Sequence, residues 1–277
     1  MPAVTLTVDG ELATLTIHNP PLNLFCHEVM DGLEEQVGAI GASPARGLLI
    51  RTEGPHFMAG ADVRIFDGTS RAQARAMFSR MLPVIARIEE LPIPTVCAVQ
   101  GLCFAAGLEL MLCADIAVAG ESAQFAQVER HIGTTTLLGG IHRLARRAGS
   151  ARATQIVFDG DRYSAQQFAD WNIVNHVVPD DQVLARATEL ARHYSQGPTR
   201  AFAAGKSMVR AHLEGGIRGG DRAVLDNAIE VFASRDIGAM AADLVRMQTG
   251  VVKLLSGHSK DIAKNIDFIG SRAGHAL

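Results

Sequence analysis

Two small-residue segments constrain the fold of this chain more than any other feature: His56-Phe-Met-Ala-Gly-Ala-Asp-Val63 and Gly101-Leu-Cys-Phe-Ala-Ala-Gly-Leu-Glu-Leu110. Each reads as a strand end running directly into a helix start. Such a junction leaves backbone N–H groups without intrahelical acceptors, pointing into whatever lies beyond. The pattern around them repeats. Gly47–Thr52, Thr95–Val99 and Ile116–Ala119 are short apolar runs of strand length, and Ile173–Val178 is a further one. Arg71–Glu90 has Met77, Met81, Ile85 and Ile88 at helical spacing, although Pro83 should perturb it and Pro92 and Pro94 should end it. Gly107–Cys113 reads as a short helix, and a helix from Asp180 presents Val183, Ala187, Leu190 and Tyr194 on one face. At the N-terminus, Val4, Leu6 and Val8 alternate with threonines and Leu15 and Ile17 do the same, so Asp9-Gly10 predicts a hairpin with a type I′ turn.

Strand and helix alternate to about residue 195, which predicts an α/β architecture. From Pro198 onward the signals are helical, over Thr199–Leu213, Asp221–Ser234 and Ile237–Leu255. The glycine pairs at 215–216 and 219–220 lack the Lys-Ser/Thr of a phosphate loop and read as a helix–helix connection. The expected division is an α/β core over 1–197, a helical region over 198–257 and an appended tail over 258–277.

Composition matters mainly for what it excludes. The 277 residues suffice for one large domain or a domain with an appendage. A net charge of −3 gives no reason to expect a nucleic acid or an anionic membrane as partner. The strand-like start at Met1 lacks a basic region followed by an apolar run, and no apolar run reaches the ~18 residues of a membrane span, so the expected location is cytoplasmic. Cys26, Cys97, Cys103 and Cys113 form no C-x-x-C pair and read as small buried hydrophobes in a reducing compartment. The ten histidines form no H-E-x-x-H, and no metal is expected. Arg143, Arg146, Arg147 and Arg152 read as a solvated helix face.

Two backbone donors converging on one oxygen would make an oxyanion hole, and two glutamates near them would supply acid and base. That combination suits chemistry on a thioester carbonyl. Glu109 lies one turn into the second helix start, and Glu129 follows twenty residues later. Four segments then carry a resemblance. Phe57-Met-Ala-Gly-Ala-Asp-Val63 resembles the turn F-x-A-G-A-D-I, and Gln100 to Asp115 resembles N-G-x-x-x-G-G-G-x-E-L-x-x-x-C-D. Ala123-Gln-Phe-Ala-Gln-Val-Glu129 resembles A-x-F-x-x-P-E, and Gly160-Asp-Arg-Tyr-Ser-Ala165 resembles G-x-x-x-x-A. These are motifs of the crotonase (enoyl-CoA hydratase/isomerase) superfamily, in order and at its spacing, within a match from about Val4 to about Gly257.

The resemblance implies a crotonase-like spiral of ββα repeats followed by a C-terminal helical trimerisation region, with trimers that often pair into hexamers. It implies an acyl-CoA substrate, with coenzyme A as part of the thioester and no other cofactor. Ala61 and Ala106 match the two oxyanion N–H donors, Ala106 standing where the family usually has glycine. An alanine there would be strained if the position needs a positive φ. Glu109 matches the glutamate that activates the water, and Glu129 the one that delivers a proton. Ala59, Gly60, Asp62, Val63 and Arg64 of the first turn, with Leu22 further upstream, are the expected substrate-contacting positions. Arg64 suits the CoA phosphates, and Asp62 has a structural part in the turn.

Glutamates at both positions favour addition of water to a trans-2-enoyl-CoA. An enoyl-CoA isomerase or another crotonase reaction, and a non-catalytic acyl-CoA-binding subunit, stay open beside it. The loop after Glu129 departs from the family pattern P-E-x-x-L-G-x-x-P-G-x-G-G. Val128, Thr136 and Leu137 replace two prolines and a glycine, so Leu137 and Leu138 should reshape the acyl pocket.

Overall fold

The computed structural model describes residues 2–233 together with 245 and 246. The expected helix over Ile237–Leu255 lies almost entirely outside the described residues, as does the tail over 258–277. The chain divides into two units, Met1–Ala203 and Ala204–Leu277.

The first unit opens with the antiparallel pair β1 (Val4–Asp9) and β2 (Leu12–Ile17), then α1 (His27–Ile40), β3 (Gly47–Thr52) and α2 (Arg71–Glu90). It continues through β4 (Thr95–Val99), β5 (Leu102–Phe104), α3 (Ala106–Met111), β6 (Ile116–Gly120) and β7 (Gln124–Ala126). After α4 (Gly140–Ala148) and α5 (Ser150–Asp159) come β8 (Tyr163–Ser164), α6 (Ala165–Asp170), β9 (His176–Val178) and α7 (Val183–Ser195). The six-stranded sheet has the order β1-β2-β3-β4-β6-β9, parallel from β2 onward, and β5-β7-β8 form a second sheet. An isolated bridge from Met58 to Cys103 adjoins the second sheet. The chain thus visits the large sheet, the small sheet and a helix in turn, which is the ββα repeat.

Strand periodicity explains why this sheet is covered on both faces. Ala13, Leu15, Ile17, Leu48, Ile50, Cys97, Val99, Ala117 and Ala119 point to one side, into the core shared with α1 and α2. Leu12, Leu49, Val96, Ala98 and Val118 alternate with them and pack on Val183, Ala187, Leu190 and Ala191 of α7. Cys97, Cys103 and Cys113 are buried and free, and burial pushes their thiols up.

Several local expectations are corrected. Gly10 has φ +60 while Glu11 does not enter the positive-φ region, so the hairpin turn is type II′ rather than I′. α2 runs unbroken through Pro83, because Pro83 and Ser79 both face solvent and water can take up the freed Ser79 carbonyl. Only His176–Val178 of the run from Ile173 is strand. Asp180–Gln182 is a 3₁₀ turn ahead of α7.

The arginine cluster is not a solvated face. Arg143 and Arg146 of α4 both bind Glu89 of α2, and Arg143 is buried. Arg147 donates to the carbonyls of Leu112, Ala114 and Ile173, and Arg152 lies over the Trp171 ring at 4.0 Å. Helical charge spacing shows which residues share a stripe but not what packs against it.

α8 spans Thr199–Ala223, with a break at Gly216 (φ 62, ψ −159). Gly219 and Gly220 remain helical. Of the helix expected from Asp221, residues 221–223 close α8, and a π-helical turn, Val224–Ala228, and a 3₁₀ turn, Ile229–Ala233, follow.

Candidate active site

Beyond the Met58–Cys103 bridge, the end of the first segment is held by a parallel bridge between Phe25 and Ala61. Phe25 N–H donates to Gly60 O and Asp62 N–H to Phe25 O, both at 2.9 Å. The register uses the residues on either side of Ala61, so the Ala61 N–H turns away from the bridge. Gly60 takes φ 110, a conformation that glycine adopts without strain. Asp62 caps the 3₁₀ turn Val63–Phe66 by accepting from Arg64 N–H at 3.0 Å.

The second segment turns at Ala105. Its N–H donates to Ala126 O across the small sheet, and its φ 47, ψ −117 reverses the chain into α3. Ala106 is the first residue of α3, so its N–H has no intrahelical acceptor. Its φ is not positive, and the strain anticipated at Ala106 falls one residue earlier. Ala105 stands where the motif places the first of three glycines. Gly107 lies so close to the first segment that a Cβ would meet Met58 O at 2.5 Å.

One helical turn on, Glu109 is buried, with 3% exposure. Its Oε1 accepts from Leu138 N–H at 2.9 Å and Gly140 N–H at 2.8 Å. Burial first, and then repulsion from Glu129, push its carboxyl up to about 8, against the opposing pull of the two N–H donors. Glu129 opens the 3₁₀ turn Glu129–Ile132 just beyond β7, with 8% exposure, and burial pushes it up to about 7. Turned with its nitrogen toward this carboxylate, the Gln127 amide donates to both Glu129 oxygens at 2.7 and 3.0 Å. Two carboxyls so placed hold one proton between them near neutrality.

Glu109, Glu129, Ala61 and Ala106 line one cavity of about 150 Å³. Ala59, Gly60 and Val63 join them, and Phe66, Met77, Phe78, Leu137 and Leu138 supply apolar wall. Leu22, Asp62 and Arg64 line a separate outer groove, with Glu28, Asp31 and Glu35. There Arg64 is 87% exposed and ion-paired to Asp62, whose carboxyl it holds down at about 2. The expected contacts therefore fall into an inner, apolar set and an outer, charged one. Among the described residues no group of three or more His, Cys, Asp or Glu is gathered to hold a metal ion, and no helix is long and apolar enough to cross a membrane.

Sequence reasoning missed Gln127, the N–H groups of Leu138 and Gly140, and Arg143. Gln127 was findable: in register with buried Phe125 it is a polar side chain at an inward position, and such groups need a partner. The other donors carry no sequence signal, since backbone N–H groups are common to nearly every residue.

A cavity flanked by two strand-to-helix junctions and two carboxyls, on a spiral of ββα units, defines a crotonase-fold protein. Residues 7–237 match the enoyl-CoA hydratase/isomerase family, and the chain belongs to it. It is 31% identical to the mitochondrial enoyl-CoA hydratase of Pongo abelii over 216 residues, covering 78% of this chain and 74% of that one. It is 34% identical to the 1,2-epoxyphenylacetyl-CoA isomerase of Escherichia coli K12 over 198 residues, covering 69% and 76%. The solved enoyl-CoA hydratase of Polaromonas sp. JS666 shares the fold, with a TM-score of 0.82 at 24% identity over 88% of this chain and 97% of that one.

Proposed function

We propose that the chain adds water across the 2,3 double bond of a trans-2-enoyl-CoA thioester. The observation that carries this reading is the pair of buried carboxyls, Glu109 and Glu129, opening onto the same apolar cavity as the N–H groups of Ala61 and Ala106. In this reading the thioester oxygen accepts from both N–H groups, which stabilise the enolate charge that develops on it. Water attacks C3 as Glu109 takes its proton, and Glu129 delivers a proton to C2. Burial raises both carboxyls, so near neutrality the pair holds one proton, and the reacting state is the one that carries it on Glu129.

The acyl group enters the apolar cavity, and Arg64 reaches the CoA phosphates once it leaves Asp62. Coenzyme A arrives as part of the substrate, and the reading calls for no further cofactor or metal. The reading includes a cytoplasmic location, no nucleic-acid or membrane partner, and a homotrimer or a pair of trimers. Support for the assembly comes from the apolar residues exposed in the helical unit, among them Ile217 and Phe232 at 73% and 74%.

The test incubates the pure protein with a panel of 2-enoyl- and 3-enoyl-CoA esters and follows the products by mass spectrometry. Gain of one water on a 2-enoyl ester is the expected result, abolished by Glu109→Gln and by Glu129→Gln. Unchanged mass with a moved double bond would favour a second reading, an isomerase in which Glu129 is essential and Glu109 dispensable. The 34% identity to the 1,2-epoxyphenylacetyl-CoA isomerase of Escherichia coli favours only the broader alternative, another crotonase-type acyl-CoA reaction. Ligand binding without any turnover would leave a binding subunit.

A further inference from the structure

Glu109 is held by two backbone N–H groups, and the peptide that carries one of them, the Gly140 N–H, is gripped at its other end by a side chain. Arg143 Nη1 donates to Leu138 O at 3.0 Å and Gly139 O at 3.3 Å. The Gly139 carbonyl and the Gly140 N–H are the two ends of one peptide unit. Arg143 therefore grips one end of a plane whose other end donates to Glu109 Oε1 at 2.8 Å. The grip has its own anchor. Arg143 Nε and Nη2 both donate to Glu89 Oε2, at 3.0 and 2.7 Å, and Arg146 binds the other oxygen of the same carboxylate. Gly139 makes the close approach feasible: at φ +91, a Cβ on it would stand 2.1 Å from Arg143 Nη1.

We propose that Arg143 is a positioning residue for Glu109. Through the Gly139–Gly140 peptide it fixes Oε1 and leaves Oε2, which makes no hydrogen bond among the described residues, for the reacting water. The cation also polarises the peptide toward the carboxylate, since a donor on the carbonyl strengthens the N–H at the far end. A buried arginine whose five donors are almost all committed, two of its bonds going to carbonyls beside Glu109, is more than a tie between α2 and α4. Either contact to Glu89 would serve that purpose alone. The charged and titratable groups facing this assembly are Glu129 and Cys113 at Glu109, and Glu89, Arg146 and His142 at Arg143.

This inference rests on the hydratase reading only where it invokes the water, so the test has two arms. In the first, Arg143→Met and Arg143→Lys are assayed for hydration. For Arg143→Met, kcat is expected to fall by roughly 10- to 100-fold with KM within about twofold, as for a misplaced catalytic group. The alkaline limb of its pH profile should move to higher pH, because the carboxylate loses an oriented donor and a nearby cation. Arg143→Lys keeps the charge but not the fork, and should recover the limb more than kcat. In the second arm, protein carrying ¹³C-labelled glutamate is titrated by NMR without substrate, with Glu109→Gln assigning the signal. An upward move of the Glu109 titration in Arg143→Met supports the positioning role even if no enoyl ester is hydrated. If Arg143→Met does not fold, Glu89→Gln loosens the anchor from the other end and should move the signal in the same direction by less. A Glu109 titration unchanged in every folded variant, with only thermal stability lowered, overturns the proposal.

Discussion

Glu109→Gln tests most directly whether burial governs this site. The carboxyl is moved from 4.5 to about 8, chiefly by desolvation. A carboxyl raised in the folded state holds a proton that the unfolded chain has already released. Its contribution to stability is therefore complete below pH 4.5 and is lost as pH rises to about 8. At about 1.4 kcal/mol per unit, the full span corresponds to about 5 kcal/mol. Glutamine at this position removes both the desolvation and the repulsion from Glu129, so about 5 kcal/mol is the upper bound of the gain. The amide oxygen of glutamine can still accept from Leu138 and Gly140, and its nitrogen adds no charge. Urea unfolding of both proteins at pH 5, 7 and 9, at one fixed protomer concentration, reads the difference. The variant should nearly match the parent at pH 5 and exceed it by several kcal/mol, at most about 5, at pH 9. An equal difference at all three pH values would refute the reasoning, because it would mean that Glu109 titrates alike in the folded and unfolded chain.

The pH dependence of kcat/KM for enoyl-CoA hydration should be bell-shaped, because the reaction needs one carboxylate and one carboxylic acid. It should fall below about 7, where both are protonated, and above about 8, where both are ionised; a profile flat from pH 6 to 9 counts against a two-carboxyl mechanism. Ala105→Gly relieves a backbone conformation that costs an alanine ~1–3 kcal/mol, against an entropic loss of ~0.5–1 kcal/mol, for a net gain of about 1 kcal/mol in urea unfolding. A destabilised variant would show that Ala105 is not strained. Asp62→Asn keeps the cap on the Arg64 N–H but releases the guanidinium, so KM for CoA esters should fall about two- to fivefold at low salt and the gain should fade at high salt. An unchanged KM removes Arg64 from the phosphate site.

Much of the fold was legible because it follows from local chemistry. The short apolar runs of β3, β4 and β6, the helical spacing in α2 and α7, and the two small-residue junctions are properties of neighbouring residues, and the structure follows them closely. Glu109 was legible because its place one turn past a junction is set by helix geometry. Turn type was not: the hairpin needs only one positive φ, and Asp9-Gly10 fits either primed turn.

What only the tertiary structure decided is which groups meet. Long-range packing brings Glu109 of α3 against Leu138 and Gly140, some thirty residues on. It also sets the four arginines of α4 and α5 against Glu89, three carbonyls and an indole ring, with Arg143 buried. The same distinction separates the substrate-contacting residues. Val63 and Arg64 are neighbours in sequence, yet one lines the inner cavity and the other the outer groove. Sequence by itself determined which backbone conformations and which stripes of side chains were available, because those preferences act within a few residues. Burial, and with it the raised carboxyls and the partner of every buried charge, depends on segments distant along the chain and was settled only when they packed together.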